Sequence, residues 1–249
     1  MPREWDAKTY DSLPLPHQEW GKRTLGRLNL RGTETVLDAG CGTGRDTAAL
    51  LDLVPGGRVI GVDGSSRMLD QLRAKLSDRL DRLDVVHADL TRPLALGSQV
   101  DAVSSVATFH WITDHAALFA NLARSLRTGG QFVAECGGEG NVARINAAVE
   151  EVLGASGEGE KVWYFAGVED TTARLEAAGF TDIEVTLQPD PARLEPGEQL
   201  WSYLATVVLG SHLDRLPESD HEDFVRAVAA RLPEPVVDYV RLNITARRA

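Results

Sequence analysis

The sequence predicts an α/β fold, a doubly wound and mostly parallel sheet, and three observations predict it. Short apolar runs at Thr35–Ala39, Arg58–Val62, Leu83–His87, Asp101–Val106 and Gln131–Glu135 have the length and continuous hydrophobicity of buried parallel strands. Segments with helical spacing of apolar residues separate them, which calls for helices on both faces of the sheet. Finally, four of the runs end in glycine or polar signals, VLDAGCGTG, VIGVDGS, VVHADL and AVSSVATFHW. In an open parallel sheet the carboxyl ends of the strands are where ligands bind.

Each element follows in order. After the first strand, Asp46–Val54 carries Ala48, Leu50, Leu51 and Val54 on one helical face and is stopped by Pro55 and Gly56-Gly57. The second strand ends at Asp63, and Ser65 is placed to cap a helix whose apolar face is Met68, Leu69, Leu72 and Leu76. The fourth strand precedes a helix marked by Leu118, Phe119, Leu122 and Leu126, with Gly129-Gly130 predicted to close it. Helices are expected over Asn141–Leu153 and Thr172–Ala178, the second ended by Gly179. The alternation in DIEVTL (Asp182–Leu187) predicts a half-exposed strand near a sheet edge. Residues 189–235 read as a helical excursion, and Val236–Ala246 as the last strand. The excursion, together with the first 30 residues bearing Trp5, Tyr10 and Trp20, is expected to cover the carboxyl edge of the sheet.

The bulk numbers narrow the chemistry. The 249 residues suit one domain with a cap, and 43% hydrophobic with 25% charged residues is ordinary for a soluble protein. A net charge of −11, from 37 acids against 26 bases, opposes nucleic acid and anionic membrane as partners. No apolar run reaches the length of a membrane span, and the polar start MPREWDAKTYDS does not read as a signal peptide. A cytoplasmic protein is expected. Cys41 and Cys136 are far apart and make no metal-ligand spacing, so no metal is implied. The bases are 22 arginines and four lysines, a bias that points to a GC-rich bacterial genome.

The strand ends carry the functional signal. Gly40, Gly42 and Gly44 fall at G-x-G-x-G, with Arg45 where the dinucleotide fingerprint has its third glycine. The loop suits a ligand lying close to the backbone but not a pyrophosphate. That spacing argues against an NAD-type oxidoreductase. Asp63, about 20 residues beyond the loop, is placed to accept both hydroxyls of a ribose; it equally suits a helix cap. Asp89 suits an exocyclic amine with Leu90 packing the ring, or a turn cap. Both readings of each acid stay open at this level.

Taken together, VLDAGCGTG, GVDGSSRML, HADL, DAVSSVATFHW and LRTGGQFVAE resemble the successive motifs of the class I S-adenosylmethionine-dependent methyltransferases. The tail, with EAAGFTDIEVTL and DYVRLNITARR, is similar to a small-molecule branch that includes the trans-aconitate methyltransferases. The resemblance implies a seven-stranded Rossmann-like sheet with its last strand antiparallel, in a single domain over residues 1–249. Its core is expected at about 31–188 and 236–249, and its cap at about 1–30 and 189–235.

The resemblance also implies roles. Asp38 with Gly40, Gly42 and Gly44 would hold the methionine end of S-adenosylmethionine, Asp38 by orienting the loop or by meeting the ammonium through water, Asp63 with Gly64 the ribose, Met68, Asp89 and Leu90 the adenine, and Val106 would lie beside the transferred methyl. Tyr10 and Trp111 are aromatic candidates around the sulfonium, with Phe109, Trp163, Tyr164 and Phe165 also in view. His110 is the candidate general base or acceptor ligand. His115 is expected as a helix cap or surface residue, Glu135 and Cys136 as packing, and His17, His212 and His221 carry no signal. The implied reaction is in-line transfer of a methyl group to a small organic acceptor, leaving S-adenosylhomocysteine, by a monomer or homodimer. Competing readings are a non-catalytic regulatory subunit that binds the same cofactor, an NAD-dependent oxidoreductase, and an RNA methyltransferase, which the charge opposes.

Overall fold

A computed structural model describes residues 17–154 and 163–249. Trp5 and Tyr10 lie outside the described residues. The sheet strands are β1 (Thr35–Ala39), β2 (Arg58–Asp63), β3 (Leu83–His87), β4 (Val100–Val106), β5 (Leu126–Gly137), β6 (Phe180–Pro189) and β7 (Val240–Arg248). They stand in the order β3-β2-β1-β4-β5-β7-β6. Strands β1 to β5 pair in parallel, and β7 enters antiparallel between β5 and β6. The expected topology, including the antiparallel last strand, is the observed one.

Strand alternation sorts the side chains into two cores. Val36, Val59 and Ala102 face α1 (His17–Leu25), α2 (Arg45–Leu53) and α3 (Ser66–Lys75), whose Leu25, Leu50, Leu51, Leu69 and Leu72 complete that layer. Leu37, Ala39, Ile60, Val62, Val103 and Phe132 face the other way. There they meet α4 (His115–Ser125) and α6 (Val168–Ala177) through Leu118, Phe119, Leu122 and Leu175. A third cluster builds the cap: Ile145 and Val149 of α5 (Ala143–Leu153), Leu200 and Tyr203 of α7 (Glu198–Tyr203), and Phe224, Val225 and Val228 of α9 (His221–Ala229). The short α8 (Gly210–Leu213) adds Leu213, and Trp20 of α1 packs into the same cluster.

Three boundaries differ from the sequence expectation. Helix α4 stops at Ser125, and Gly129-Gly130 lie inside β5, because Leu126 already turns to extended geometry at φ −87 and ψ 138. The stretch 189–235 is a series of short elements broken by a π-helical stretch at Leu204–Val208, not one helical run. The last strand starts at Val240, because Val236–Val237 leave the sheet to pair antiparallel with Ala192–Arg193.

The register defines the functional rim. Ala39 pairs with Val62 and Asp63 with His87, so the loops after β1, β2 and β3 leave the sheet side by side.

Candidate active site

A cavity of about 390 Å³ opens over this rim, within the size range of small-molecule sites. Of the residues singled out from the sequence, Gly40, Gly42, Asp63, Gly64, Met68, Asp89, Leu90, Val106, His110 and Trp111 line it. Asp38 and Gly44 do not, and Tyr10 lies outside the described residues.

The three glycines do different things. Gly40, at φ +85, is packed so tightly that a Cβ there would stand 2.2 Å from the Thr108 hydroxyl oxygen. Gly44 carries αL geometry at the start of α2 and backs onto Leu72, where a Cβ would approach within 2.8 Å. Only Gly42 among them combines a left-handed φ of +52 with open space where a Cβ would stand. Its bare backbone is therefore the part of the loop a ligand can lie against.

Asp63 ties this loop to the next one. Its Oδ2 accepts from the Gly42 amide at 2.9 Å and its Oδ1 from the Ser65 amide at 2.8 Å. Ser65 itself caps α3, its hydroxyl accepting from the Met68 amide. The helix cap is thus Ser65, and Asp63 remains on the cavity wall with two oxygens that each accept more than one hydrogen bond. Asp89 is similarly fixed: its Oδ1 accepts from the Thr91 amide and hydroxyl at 2.8 and 2.7 Å. Burial pulls its pKa up, but the Thr91 donors and Arg92 outweigh this and hold it below the usual carboxylate value.

Asp38 stands where it can orient the loop and not where it would meet a ligand directly. It shares the face of Val36, beneath α2, is 2% exposed, and accepts from the Thr47 hydroxyl at 2.6 Å. It supports the loop from behind and does not reach the cavity wall. Burial, reinforced by Asp46, pushes its pKa up to about 7. Between its unfolded value near 4 and about 7 the folded chain therefore holds a proton that the unfolded chain has lost, so stability falls as pH rises through that window. Asp38→Asn cannot ionise and keeps an acceptor for Thr47. Its melting temperature is expected to gain on the native protein between pH 5 and pH 8, by about 2 kcal/mol or roughly 4–8 °C. Parallel melts at the two pH values check this, and a constant offset refutes it.

The two histidines after β4 take different places. His110 is buried, and its Nδ1 accepts from the Gly137 amide at 3.2 Å, which leaves the proton on Nε2. Burial, with Arg241 and His115 adding to it, holds its pKa far below the ordinary imidazole value. A neutral ring with its proton on Nε2 suits an acceptor ligand better than a general base. His115 is neither cap nor surface residue: Asp114 caps α4, while His115 is 1% exposed and donates from Nε2 to the Phe109 carbonyl at 3.0 Å.

Beyond Val106 and His110 the wall changes character. Trp20, Asn141, Trp163, Phe165, Tyr239 and Arg241 line it there, with Val207, Val208 and Ser211 from the cap. Arg241 and Asn141 escaped the sequence reading: one lies within the last strand and the other at the start of an expected helix, and neither stands in one of the four strand-end motifs. Arg241 is 2% exposed, and its Nε donates to Glu135 at 3.2 Å. Glu135 also accepts from the Thr24 hydroxyl. Among the described residues no His, Cys, Asp and Glu group is arranged to hold a metal ion, and no helix is long and apolar enough to cross a membrane.

Comparison with known proteins agrees with this geometry. A family model described as a methyltransferase domain matches residues 36–130, the glycine loop through β4 and α4. An uncharacterized methyltransferase of Schizosaccharomyces pombe is 32% identical over 192 residues, 72% of either chain. The trans-aconitate 2-methyltransferase of Azoarcus sp. is 36% identical over 126 residues, 51% of this chain and 48% of that one. The similarity to it thus spans about half its length. Two solved structures share the fold at low identity. The YcgJ protein of Bacillus subtilis has a TM-score of 0.67 at 15% identity, over 94% of this chain and 100% of that one. Phosphoethanolamine N-methyltransferase 2 of Haemonchus contortus, solved in complex with S-adenosyl-L-methionine, has a TM-score of 0.64 at 18% identity, over 97% of this chain and 56% of that one. Strand order, the glycine loop with its following carboxylates, and a relative aligned over most of both chains lead to one conclusion: this chain belongs to the class I S-adenosylmethionine-dependent methyltransferases.

Proposed function

We propose that the enzyme methylates a small organic molecule, and that the cavity divides into a cofactor end and an acceptor end meeting at Val106, His110 and Trp111. The observation that carries this reading is the lining of the second end, where Trp163, Phe165, Val207 and Val208 give apolar surface to a cavity of about 390 Å³, the size of small-molecule sites.

The residues of the first end fit the cofactor. Gly42 offers backbone with open space in front of it, Asp63 offers carboxylate oxygens suited to ribose hydroxyls, and Asp89 with Leu90 offers an anionic acceptor beside an apolar surface suited to adenine. When bound, S-adenosylmethionine supplies a methyl group on a sulfonium, whose departure needs no covalent help from the protein. The chain's contribution is then alignment, which in favourable cases supplies about 7–11 kcal/mol. Its own side chains line both ends of one cavity, give the acceptor end aromatic and aliphatic surface, and leave His110 there with its proton on Nε2.

The test combines binding and fate of label. The native protein should bind S-adenosylhomocysteine in calorimetry, and methyl-labelled S-adenosylmethionine incubated with separated small-molecule, RNA and protein fractions should pass label to the small-molecule fraction. Label in RNA or protein would overturn the acceptor reading. Gly42→Ala should keep the fold, with the left-handed backbone costing about 1–2 kcal/mol, roughly 2–8 °C in melting temperature. The added methyl should also raise the dissociation constant for S-adenosylhomocysteine by about tenfold. An unchanged constant would remove Gly42 from the cofactor surface.

A further inference from the structure

The acceptor end holds a cation that is fixed in place and largely unspent. Arg241 sits opposite Gly137 in the β5–β7 ladder, and its guanidinium lies 3.7 Å from the centre of the Trp20 ring. Of its five N–H donors, Nε is used by Glu135, while Nη2 is buried without a hydrogen-bond partner among the described residues. Buried donors normally have partners, so a side chain on a cavity wall with one left over marks a place prepared for an acceptor atom. The Gly137 amide, on the strand residue paired with Arg241, fixes the His110 tautomer. Two donors, a charged guanidinium and a neutral imidazole N–H, therefore flank one strand residue.

The surroundings are apolar. Trp163 and Phe165 stack at 5.5 Å, and Phe165 stacks on His110 at 6.0 Å. Arg215, the other arginine on this wall, is exposed to solvent. A buried guanidinium paired with Glu135 through Nε has donors left for one further anion on a flat, apolar body, and additional charges would be desolvated without partners.

Building on the methyl-transfer reading above, we propose that the acceptor is a monocarboxylate with an aromatic or unsaturated body. Its carboxylate is read by Arg241 and the Nε2–H of His110, and its body packs against the stacked Trp163 and Phe165 pair. Such a substrate arrives already deprotonated: one carboxylate oxygen forms the new O–CH3 bond as the sulfonium S–CH3 bond breaks, giving a neutral ester and S-adenosylhomocysteine, so no proton has to be removed.

The test is calorimetric binding to the protein saturated with S-adenosylhomocysteine. The probes are trans-cinnamate, indole-3-acetate and octanoate, each against its own primary amide, together with citrate as a polyanion. At least one acid should bind about tenfold or more tightly than its amide, since charge-assisted hydrogen bonds are the stronger kind. The preference should fall to within about threefold in the double variant Arg241→Gln with Glu135→Gln, whose retained affinity for S-adenosylhomocysteine shows that it is folded. No acid preference in any pair, a preference that survives in the double variant, or citrate binding tighter than every monoacid overturns the proposal. If the double variant does not fold, the acid-to-amide ratios of the native protein decide alone. Failure of the native protein to bind S-adenosylhomocysteine would instead sink the cofactor reading, so the two failures are distinguishable.

Discussion

Asp63→Ala is expected to weaken binding of S-adenosylhomocysteine by about a hundredfold in calorimetry, equivalent to about 2.7 kcal/mol. Two losses add up to this. The first is direct: a carboxylate accepting ribose hydroxyls contributes about 1.5–3 kcal/mol through charge-assisted hydrogen bonds. The second is structural. Asp63 accepts from both the Gly42 and the Ser65 amides, so alanine unties the glycine loop from the start of α3 and leaves two amides without their acceptor. Asp63→Asn separates these contributions. Its carbonyl can still take one amide while its NH₂ faces the other, so it should lose most of the affinity with less change in melting temperature than alanine. If Asp63→Ala binds S-adenosylhomocysteine as the native protein does, the ribose role fails, and the carboxylate is only a turn support.

The cofactor end was legible in the sequence because each of its parts is local. A strand, a turn and a polar residue occur within about ten positions of one another in VLDAGCGTG, VIGVDGS and VVHADL, and the parallel register then places the three ends side by side. The resemblance to a known family supplied the seven strands and the antiparallel last strand, which no local pattern contains; the strand order comes from the structure. The acceptor end was not legible, because it is assembled by distant contacts. Trp20 bonds Asp190 across 170 residues, and Arg241 meets Glu135 across 106. No window of sequence contains either pair.

The places of the other residues have equally physical causes. Asp38 alternates with Leu37 and Ala39, so a buried strand with those two on one face must send Asp38 to the other, beneath α2. Asp38 belongs to the same motif as the glycines, yet the period of the strand separates it from the wall they line. For His110, position after β4 was readable but protonation was not, since its tautomer is set by an amide 27 residues away. In the cap, apolar periodicity located the buried faces at Leu200 and at Phe224–Val228, but not the π-helical stretch between them, which follows from how the cap packs over the cavity.

Arg241→Met is expected to lower the melting temperature by roughly 6–12 °C, corresponding to about 3 kcal/mol. The substitution strands Glu135, 1% exposed, without its closest cation; the Thr24 hydroxyl at 3.2 Å and Arg23 at 3.6 Å soften the loss without replacing it. Part of the loss also comes from the Trp20 face, which gives up a guanidinium lying 3.7 Å from the ring centre. Adding Glu135→Gln to Arg241→Met should recover most of the stability, because an ion pair removed as a unit leaves no uncompensated charge behind, whereas removing one partner does. A double-mutant cycle of thermal melts measures the coupling directly, and additive losses would mean that the two residues do not act as a pair. The cycle also bears on function. A buried ion pair contributes little net stability compared with apolar residues of similar volume, so its presence at a cavity wall needs a reason other than folding. If the double variant melts like the native protein but binds acids and amides alike, then Glu135 serves to hold a cation ready for the acceptor, and the chain has accepted the desolvation of two charges in exchange for substrate recognition.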